Sequence, residues 1–195
     1  MQFLICSEPE HIRMAQQLRY DVFCAEKGWI EGTACPEGLD SDEYDDDAIH
    51  FIALDDGVPV GTTRVLLGAK HVLPAMKFID IDALGLEPHE VVEISRLATH
   101  KGKRSQDLKL FLGLTHLTWE WCMAHDIKAW LAISDVPLFK LFERIKMPLL
   151  AAGSAIDYLG SLCVPAIYDM ARSGACVAPR DSQDSPEFAT STPAS

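Results

Sequence analysis

Apolar positions along the chain change their spacing several times, and each change predicts a new element of secondary structure. Residues 2–6 are a short apolar run, which predicts a first strand. From Pro9 onward apolar side chains recur at helical spacing, and Gly28 predicts the end of this first helix. Longer and shorter amphipathic patterns predict two further helices, over residues 107–125 and 137–145.

Strands are predicted between these helices. Two apolar runs, 49–54 and 58–67, are joined by an Asp-Gly turn and predict a β-hairpin. Residues 91–98 predict another strand, and residues 127–133 are apolar throughout, as in a buried central strand. Residues 147–170 have room for two more short strands. This order predicts a protein of the α/β (α+β) class, with a mixed central β-sheet flanked by helices.

The length of 195 residues and an apolar content of 48% suit one domain. We predict that it spans residues 1–176 and that residues 177–195, rich in Ser, Thr, Pro and Asp, form a flexible tail. No apolar run approaches the roughly 18 residues needed to cross a bilayer. The first residues lack the basic segment of a signal peptide. These features predict a cytoplasmic protein without a membrane span.

Charge is spread unevenly along the chain. The net charge of −12 argues against nucleic acid as the main partner. Residues 31–57 carry ten acids and no Lys or Arg, whereas residues 97–146 carry eight bases against five acids. This asymmetry suggests partners of opposite sign, although ordinary solvated faces would also explain it. The six cysteines form no CxxC pair, so we predict reduced thiols and no metal site.

The acidic segment of residues 30–48 is long for a loop in a compact domain, which is typical of a functional or mobile segment. Its carboxylates do not have the EF-hand spacing, and a simple solvated loop is the usual case. However, Arg19, Arg64 and Arg96 are predicted on a helix and on strands, where a charge is unusual without a partner. We therefore expect these arginines to pair with the acidic loop.

Glu93 lies in an otherwise apolar predicted strand, where burial of a carboxylate is costly unless it is paired. Strand alternation places Glu93 and Ser95 on one face and Arg96 on the other. A general base with a raised pKa would explain Glu93, and so would an Arg–Glu pair that holds the sheet to the loop. The sequence leaves both explanations open.

The sequence resembles the signature of the acyl-homoserine-lactone (autoinducer) synthases, within the GNAT acyltransferase superfamily. The matching positions are Arg19, Phe23, Trp29, Asp42, Asp45, Arg64, Phe78, Glu93 and Arg96. The order and spacing match over residues 1–100, except that Asp40 stands where the family usually has Glu. The resemblance implies a GNAT-like splayed sheet and transfer of a fatty acyl group from acyl carrier protein to the amine of S-adenosylmethionine. The product would be a quorum-sensing lactone. Related enzymes make long-chain N-acyl amino acids, and a non-catalytic binding module of the same fold is a further alternative.

The resemblance also implies roles for individual residues. The expected catalytic residues are Glu93, Ser95 and Arg96, with strand amides near Leu97 and Ala98 stabilising the oxyanion. The expected substrate-binding residues are Arg19, Phe23, Trp29, Asp40, Asp42, Asp45, Arg64 and Phe78. The expected lining of the acyl tunnel is Phe78, Trp119, Trp130, Leu131 and Ile133.

No permanently bound cofactor and no metal are expected, because the thioester and the amine donor are both substrates. A Gly-rich pyrophosphate turn is not evident in residues 101–108, which have one glycine. This favours acyl carrier protein over coenzyme A as the donor. The acidic carrier protein would bind a basic surface, for which the candidates are Lys101, Lys103, Arg104, Lys140, Arg144 and Lys146.

Overall fold

The computed structural model of the chain describes residues 1–35 and 37–170, with the backbone alone for residues 104–107. Across these residues one sheet runs in the order β1-β2-β3-β4-β5-β8-β6, and β7 pairs with β8. The strands are β1 Gln2–Ile5, β2 Ile49–Asp55, β3 Val58–Leu67, β4 Val91–Thr99, β5 Ala129–Asp135, β6 Leu149–Ala151, β7 Ile156–Tyr158 and β8 Ser161–Asp169. The three helices are α1 Pro9–Arg19, α2 Asp107–Ala124 and α3 Val136–Arg144.

The sheet opens between its two central strands. β4 and β5 run parallel, because α2 carries the chain across between them, and they pair over Val91–Glu93 only. Both strands continue beyond that point, β4 to Thr99 and β5 to Asp135. The predicted mixed, splayed, GNAT-like sheet flanked by helices is thereby confirmed, and the opening begins directly after Glu93.

Apolar side chains cover both faces of the sheet. On one face Phe51 and Val65 pack with Leu110 of α2, and Phe111 of α2 stacks on Phe142 of α3 at 5.0 Å between ring centroids. On the opposite face the neighbouring residues of β2, Ile52 and Leu54, pack against α1. Strand alternation therefore places α1 and the acidic loop on one side of the sheet and α2 and α3 on the other.

Two elements differ from the sequence prediction. The first helix keeps α-helical geometry only to Arg19, and residues Tyr20–Glu26 continue as a π-helix. Gly28, two residues after its end, has a left-handed φ of 63°. The C-terminal part contains three strands instead of two, and the nine-residue β8 pairs with β5, β6 and β7. The predicted tail, 177–195, lies outside the described residues. In the described part of the chain no helix is long and apolar enough to cross a membrane.

Candidate active site

Arg19, at the end of α1, is fully buried and holds two carboxylates of the acidic loop. Its Nε donates to Asp40 Oδ2 at 3.1 Å, and Nη1 and Nη2 each donate to Asp45 Oδ1 at 2.9 Å. Nη2 also donates to the backbone carbonyl of Asp40. A buried guanidinium is tolerated here because its donors are used in charge-assisted hydrogen bonds.

Arg64 and Arg96, on β3 and β4, complete the same ion cluster. Arg64 Nη1 donates to Asp42 Oδ1 at 2.6 Å and to Asp45 Oδ2 at 2.9 Å. Arg96 Nε donates to Asp40 Oδ2 at 2.8 Å, and its Nη2 to Asp42 Oδ2 at 3.2 Å. The expected pairing of three arginines with the loop is therefore present, and the three arginines balance the charge of the three aspartates.

A β-bulge in β4 aims Arg96 at this cluster. The register of β3 and β4 shifts between the pairs Thr62–Ala98 and Arg64–Ser95, and Arg96 has a left-handed φ of 55°. Regular alternation would place the side chains of Arg96 and Ser95 on opposite faces of β4. In the structure Ser95 Oγ accepts from Arg64 Nε at 3.2 Å while Arg96 binds the same aspartate, Asp42, as Arg64 does. The prediction from alternation was therefore wrong for Arg96, and the bulge is the reason.

His50, on β2, also contacts the ion cluster, and this was not expected from the sequence. Its Nδ1 lies 3.4 Å from Arg19 Nη1, and its Nε2 lies 3.1 Å from the Asp45 carbonyl oxygen. Burial lowers the pKa of His50, with the charges of Arg19 and Arg64 acting in the same direction against Asp45. Nothing in the local sequence indicates this role, because a histidine in an apolar strand is as often a simple core residue.

Glu93 lies where β4 and β5 separate. It is 4% exposed, and its Oε2 accepts a hydrogen bond from the Ala75 amide at 2.7 Å. Burial raises the pKa of Glu93 from 4.5 to about 7, although the Ala75 amide and the charges of Arg64 and Arg96 lower it. No salt bridge between Glu93 and an arginine is present in the described structure. Of the two explanations for this residue, the geometry favours the titratable group.

Two tyrosine side chains lie near this carboxyl group. Burial raises the pKa of both Tyr44 and Tyr158, and the negative charge of Glu93 contributes to each shift, so both phenols lie within electrostatic reach of it. Phe78 packs edge-to-face on Tyr158, with ring centroids 6.3 Å apart. Tyr158 and the turn that bears Ala75 were not singled out from the sequence, since only the fold brings them to β4. Tyr44 belongs to the acidic-loop motif, but no role was expected for it.

Phe23 and Trp29 lie on the loop side of the site. Their rings are stacked at 5.9 Å between centroids, and Lys27 Nζ lies 5.3 Å from the Trp29 ring centroid. Phe23 is buried, whereas Trp29 is half-buried. The structure therefore collects the predicted residues Arg19, Phe23, Trp29, Asp40, Asp42, Asp45, Arg64, Phe78, Glu93, Ser95 and Arg96 around one end of β4.

An apolar cavity of about 50 Å³ lies in the gap between β4 and β5, on the side of α2 and α3. Its lining includes Ile94 and Leu97 of β4, Trp130 of β5, and the rings of Phe111 and Phe142. Ile94 follows Glu93 directly, so the two side chains face opposite sides of β4 at the point where the gap opens.

Of the five residues expected to line an acyl tunnel, Trp130 lines this cavity and the other four do not. Leu131 and Ile133 pack in the apolar cluster on the opposite face, together with Ala75. Phe78 is 38% exposed beside Tyr158, and Trp119 stacks on His116 of α2. The reason is strand alternation, because neighbouring residues of β5 cannot face the same cavity.

The predicted basic surface has a mixed outcome. Lys101, Lys140, Arg144 and Lys146 are exposed. Lys103 is engaged instead with Asp55, at 2.7 Å from Nζ to Oδ2, and the side chain of Arg104 lies outside the described residues. In the described part of the chain no group of three or more metal-binding side chains occurs.

Comparison with known proteins agrees with this geometry. The family model of the N-acyl amino acid synthase FeeM matches residues 14–164. No curated protein sequence matches the chain. The structure of TofI in a ternary complex with an inhibitor and MTA aligns at a TM-score of 0.68 and 22% identity, over 87% of this chain and 92% of TofI.

Two acyl-homoserine lactone synthases have a similar fold. The CoA-dependent enzyme BjaI, solved with SAM and isopentyl-CoA, aligns at a TM-score of 0.67 and 23% identity, over 83% of this chain and 77% of BjaI. LasI aligns at 0.68 and 16% identity, over 94% of this chain and 99% of LasI. The resemblance inferred from the sequence is thereby confirmed, and the non-catalytic alternative is set aside. The chain belongs to the FeeM N-acyl amino acid synthase family and is an acyltransferase with a GNAT-like fold.

Proposed function

We propose that this protein works in the cytoplasm and transfers a fatty acyl group from a thioester to the α-amino group of an amino acid or an amino-acid-derived substrate. The observation that carries the proposal is Glu93, a buried carboxyl group with a pKa raised to about 7, at the point where the sheet opens. A base with a pKa near neutrality suits proton transfer from an ammonium group.

In the proposed reaction Glu93 accepts one proton from the substrate ammonium, directly or through a water molecule. The amine nitrogen then attacks the thioester carbonyl carbon, and amides of β4 around Leu97 and Ala98 stabilise the oxyanion. The C–S bond breaks, the thiolate leaves, and the second proton of the nitrogen passes to the departing sulfur or to solvent. Ser95 and Arg96 act in this scheme by positioning Arg64 and the acidic loop.

The fatty acyl chain would enter the apolar cavity between β4 and β5. Each methylene group buried there contributes about 0.8 kcal/mol to binding. Because a 50 Å³ space is small, a long chain would have to part α2 and α3 or displace side chains such as Met147. We therefore expect chain-length preference to depend on the packing of these two helices.

We favour an amino acid as the acceptor because of the family match and the state of the acidic loop. Asp40, Asp42 and Asp45 are occupied by Arg19, Arg64 and Arg96, so the cluster offers little spare negative charge to a cationic sulfonium. A zwitterionic amino acid needs no such charge. S-adenosylmethionine is the second candidate, because the sequence signature is that of the autoinducer synthases and BjaI was solved with SAM.

For the donor we propose acyl carrier protein. Lys140 and Arg144 are exposed on α3, which lies against the acyl cavity through Phe142. BjaI is named as CoA-dependent, so acyl-CoA is the matching control substrate.

The test is mass spectrometry of organic extracts from a host that expresses the chain, beside the Glu93→Gln variant. An N-acylated amino acid, lost in the variant, is the expected product. An N-acyl-homoserine lactone would keep the reaction but replace the acceptor by S-adenosylmethionine. Full activity in folded Glu93→Gln and Glu93→Ala proteins would remove the base from the proposal, since such a base typically contributes a factor of roughly 100 or more.

A further inference from the structure

Two cysteines outside the proposed chemistry lie in contact. Cys24, in the π-helical segment after α1, has its Sγ 3.5 Å from the Sγ of Cys35. Cys24 is half-buried and Cys35 is 4% exposed. Of the other described cysteines, Cys122 and Cys163 belong to α2 and β8, and Cys6 directly follows β1.

The segment of residues 31–35 has one 3-10 turn, Gly32–Ala34, in the part of the chain that the structure describes. Its backbone hydrogen bonds are local, from Ala34 to Glu31 and from Cys35 to Gly32, and the next one runs from Gly38 back to Cys35. Residues 31–34 are exposed. Further along the loop, Glu37 lies 3.9 Å from Arg13 of α1, and the Asp40 amide donates to the Gln16 carbonyl oxygen at 3.1 Å.

We propose that Cys24 and Cys35 are a modification site that forms an intramolecular disulfide, which ties the entrance of the acidic loop to the π-helical segment. Two S–H bonds break and one S–S bond forms, and the oxidant is a low-molecular-weight disulfide that is reduced to two thiols. Cys24, the more accessible thiol, forms the mixed disulfide with release of the first thiol. Cys35 then attacks the Cys24 sulfur and releases the second.

The electrostatic surroundings make this a slow reaction. Burial, the hydrogen bond to Cys35 and the charge of Asp40 raise the pKa of the Cys24 thiol, although Arg96 lowers it. A thiol with a raised pKa is a poor nucleophile at neutral pH. The pair therefore differs from a catalytic dithiol, and its bond is expected to exchange slowly with other thiols, because a thiol with a raised pKa is also a poor leaving group.

Trypsin offers a clean test on the full chain. Cleavage after Arg19, Lys27 and Arg64 gives one peptide of residues 20–27 and one of residues 28–64, and each contains a single cysteine. The reduced protein is incubated with excess oxidised glutathione, free thiols are alkylated, and the digest is analysed without reduction. The expected result is a linked pair of these two peptides that dithiothreitol separates.

Matched variants make the test specific. Cys35→Ser is expected to keep glutathione on Cys24, and Cys24→Ser to leave Cys35 free for alkylation after unfolding. Cys122→Ser, altered in α2 far along the chain, is expected to form the link as the wild type does. Cys24 and Cys35 both recovered as alkylated or glutathione-bound peptides, or Cys24 linked to another cysteine, would overturn the proposal.

Thermal unfolding provides an independent readout. Because the bond closes a short loop in the unfolded chain, oxidation is expected to raise Tm by roughly 5–10 °C in the wild type and in Cys122→Ser. The increase should be absent in Cys35→Ser and should be reversed by dithiothreitol. A link that forms while Tm stays unchanged or falls would show that the native loop does not accommodate the bond, and would also overturn the proposal.

Discussion

At the scale of single residues, Glu93 combines a structural cost with a chemical use. Its carboxyl group is almost fully removed from water, and its one described hydrogen bond comes from the Ala75 amide. Burial therefore favours the neutral acid, and ionisation near neutral pH costs folding free energy. The same shift gives the site a base that exchanges protons close to physiological pH.

The rate of acyl transfer should depend on the ionisation of Glu93. As a base it must be deprotonated, so kcat/KM is expected to rise with pH through about 7 and to level off above it. The measurement is a pH profile from 5 to 9 with a saturating thioester donor. A profile that stays flat across this range would contradict the assigned base.

Stability should change with pH in the opposite direction. The folded pKa of Glu93 lies above its unfolded value, so its contribution to stability is complete below pH 4.5 and is lost as the pH rises through about 7. Glu93→Gln, which cannot ionise and keeps an oxygen for the Ala75 amide, is expected to be more stable than the wild type at pH 8, by roughly 3 kcal/mol. At pH 4 the two proteins should have similar denaturation midpoints. A variant that is less stable at pH 8 would show that the ionised carboxylate is well accommodated.

At the scale of elements, buried ion pairs fix the acidic loop to the sheet although it has little regular structure. Three arginines, from α1, β3 and β4, bind its three inward-facing aspartates, and His50 supports Asp45 from β2. Each arginine contacts two of the aspartates, so the ion cluster connects the loop to α1, β3 and β4, and His50 connects it to β2. Removal of Arg19 leaves two buried aspartates with one arginine partner each instead of two, so the buried charges are no longer balanced.

Arg19→Ala is therefore expected to destabilise the protein by about 3–5 kcal/mol, because Asp40 and Asp45 would remain buried without it. Chemical denaturation measures the loss. Arg13→Ala is the matched control on the same helix, since the Arg13 guanidinium is exposed and lies 3.9 Å from the exposed Glu37. It should cost less than about 1 kcal/mol. Equal losses in both variants would mean that the buried cluster is not the source of stability.

Acid should weaken this ion cluster. Folding holds the pKa of Asp42 below its usual value, because Arg64 and Arg96 outweigh the effect of burial, and burial lowers the pKa of His50. Both groups contribute stability that is present at higher pH. The contribution of His50 is lost as the pH falls below about 6.5, and that of Asp42 below about 4.

The pattern of the sequence predicted most of these elements but not the detail that assembles the site. Alternation and turn residues were sufficient for the hairpin of β2 and β3 and for the strand that contains Glu93. Nothing local indicates that Arg96 adopts a left-handed conformation, since arginine has no preference for it. The bulge arises from the register between two strands, and so does the facing of Trp130 and Leu131 to opposite sides of β5.

At the scale of the whole molecule, the two faces of the sheet differ in charge. The acidic loop packs with α1 on one face, and the exposed bases Lys140 and Arg144 lie on α3 on the other. The acyl cavity opens between the strands below α2 and α3. An acidic carrier protein is therefore expected to approach the α3 side, and the acidic face should repel it.

The double variant Lys140→Glu and Arg144→Glu should lower kcat/KM with acyl carrier protein at least tenfold, mainly through KM, because rim charges act on association. The loss with the matching acyl-CoA should be much smaller. Steady-state kinetics at two salt concentrations measure both, and the wild-type rate with carrier protein should fall as salt rises. Equal losses with both donors would indicate a damaged active site instead of a docking surface.

Because β4 and β5 pair over three residues, the sheet consists of two antiparallel halves, β1–β4 and β5–β8, which are joined by this short parallel pairing. Among the described residues, β4 and β5 make no ladder pairs beyond Glu93. A fatty acyl chain lying in this space would fill it with apolar groups that contact both halves of the sheet. The resting enzyme should accordingly be the looser form, with faster amide exchange along Ile94–Thr99 than in the acyl-loaded state.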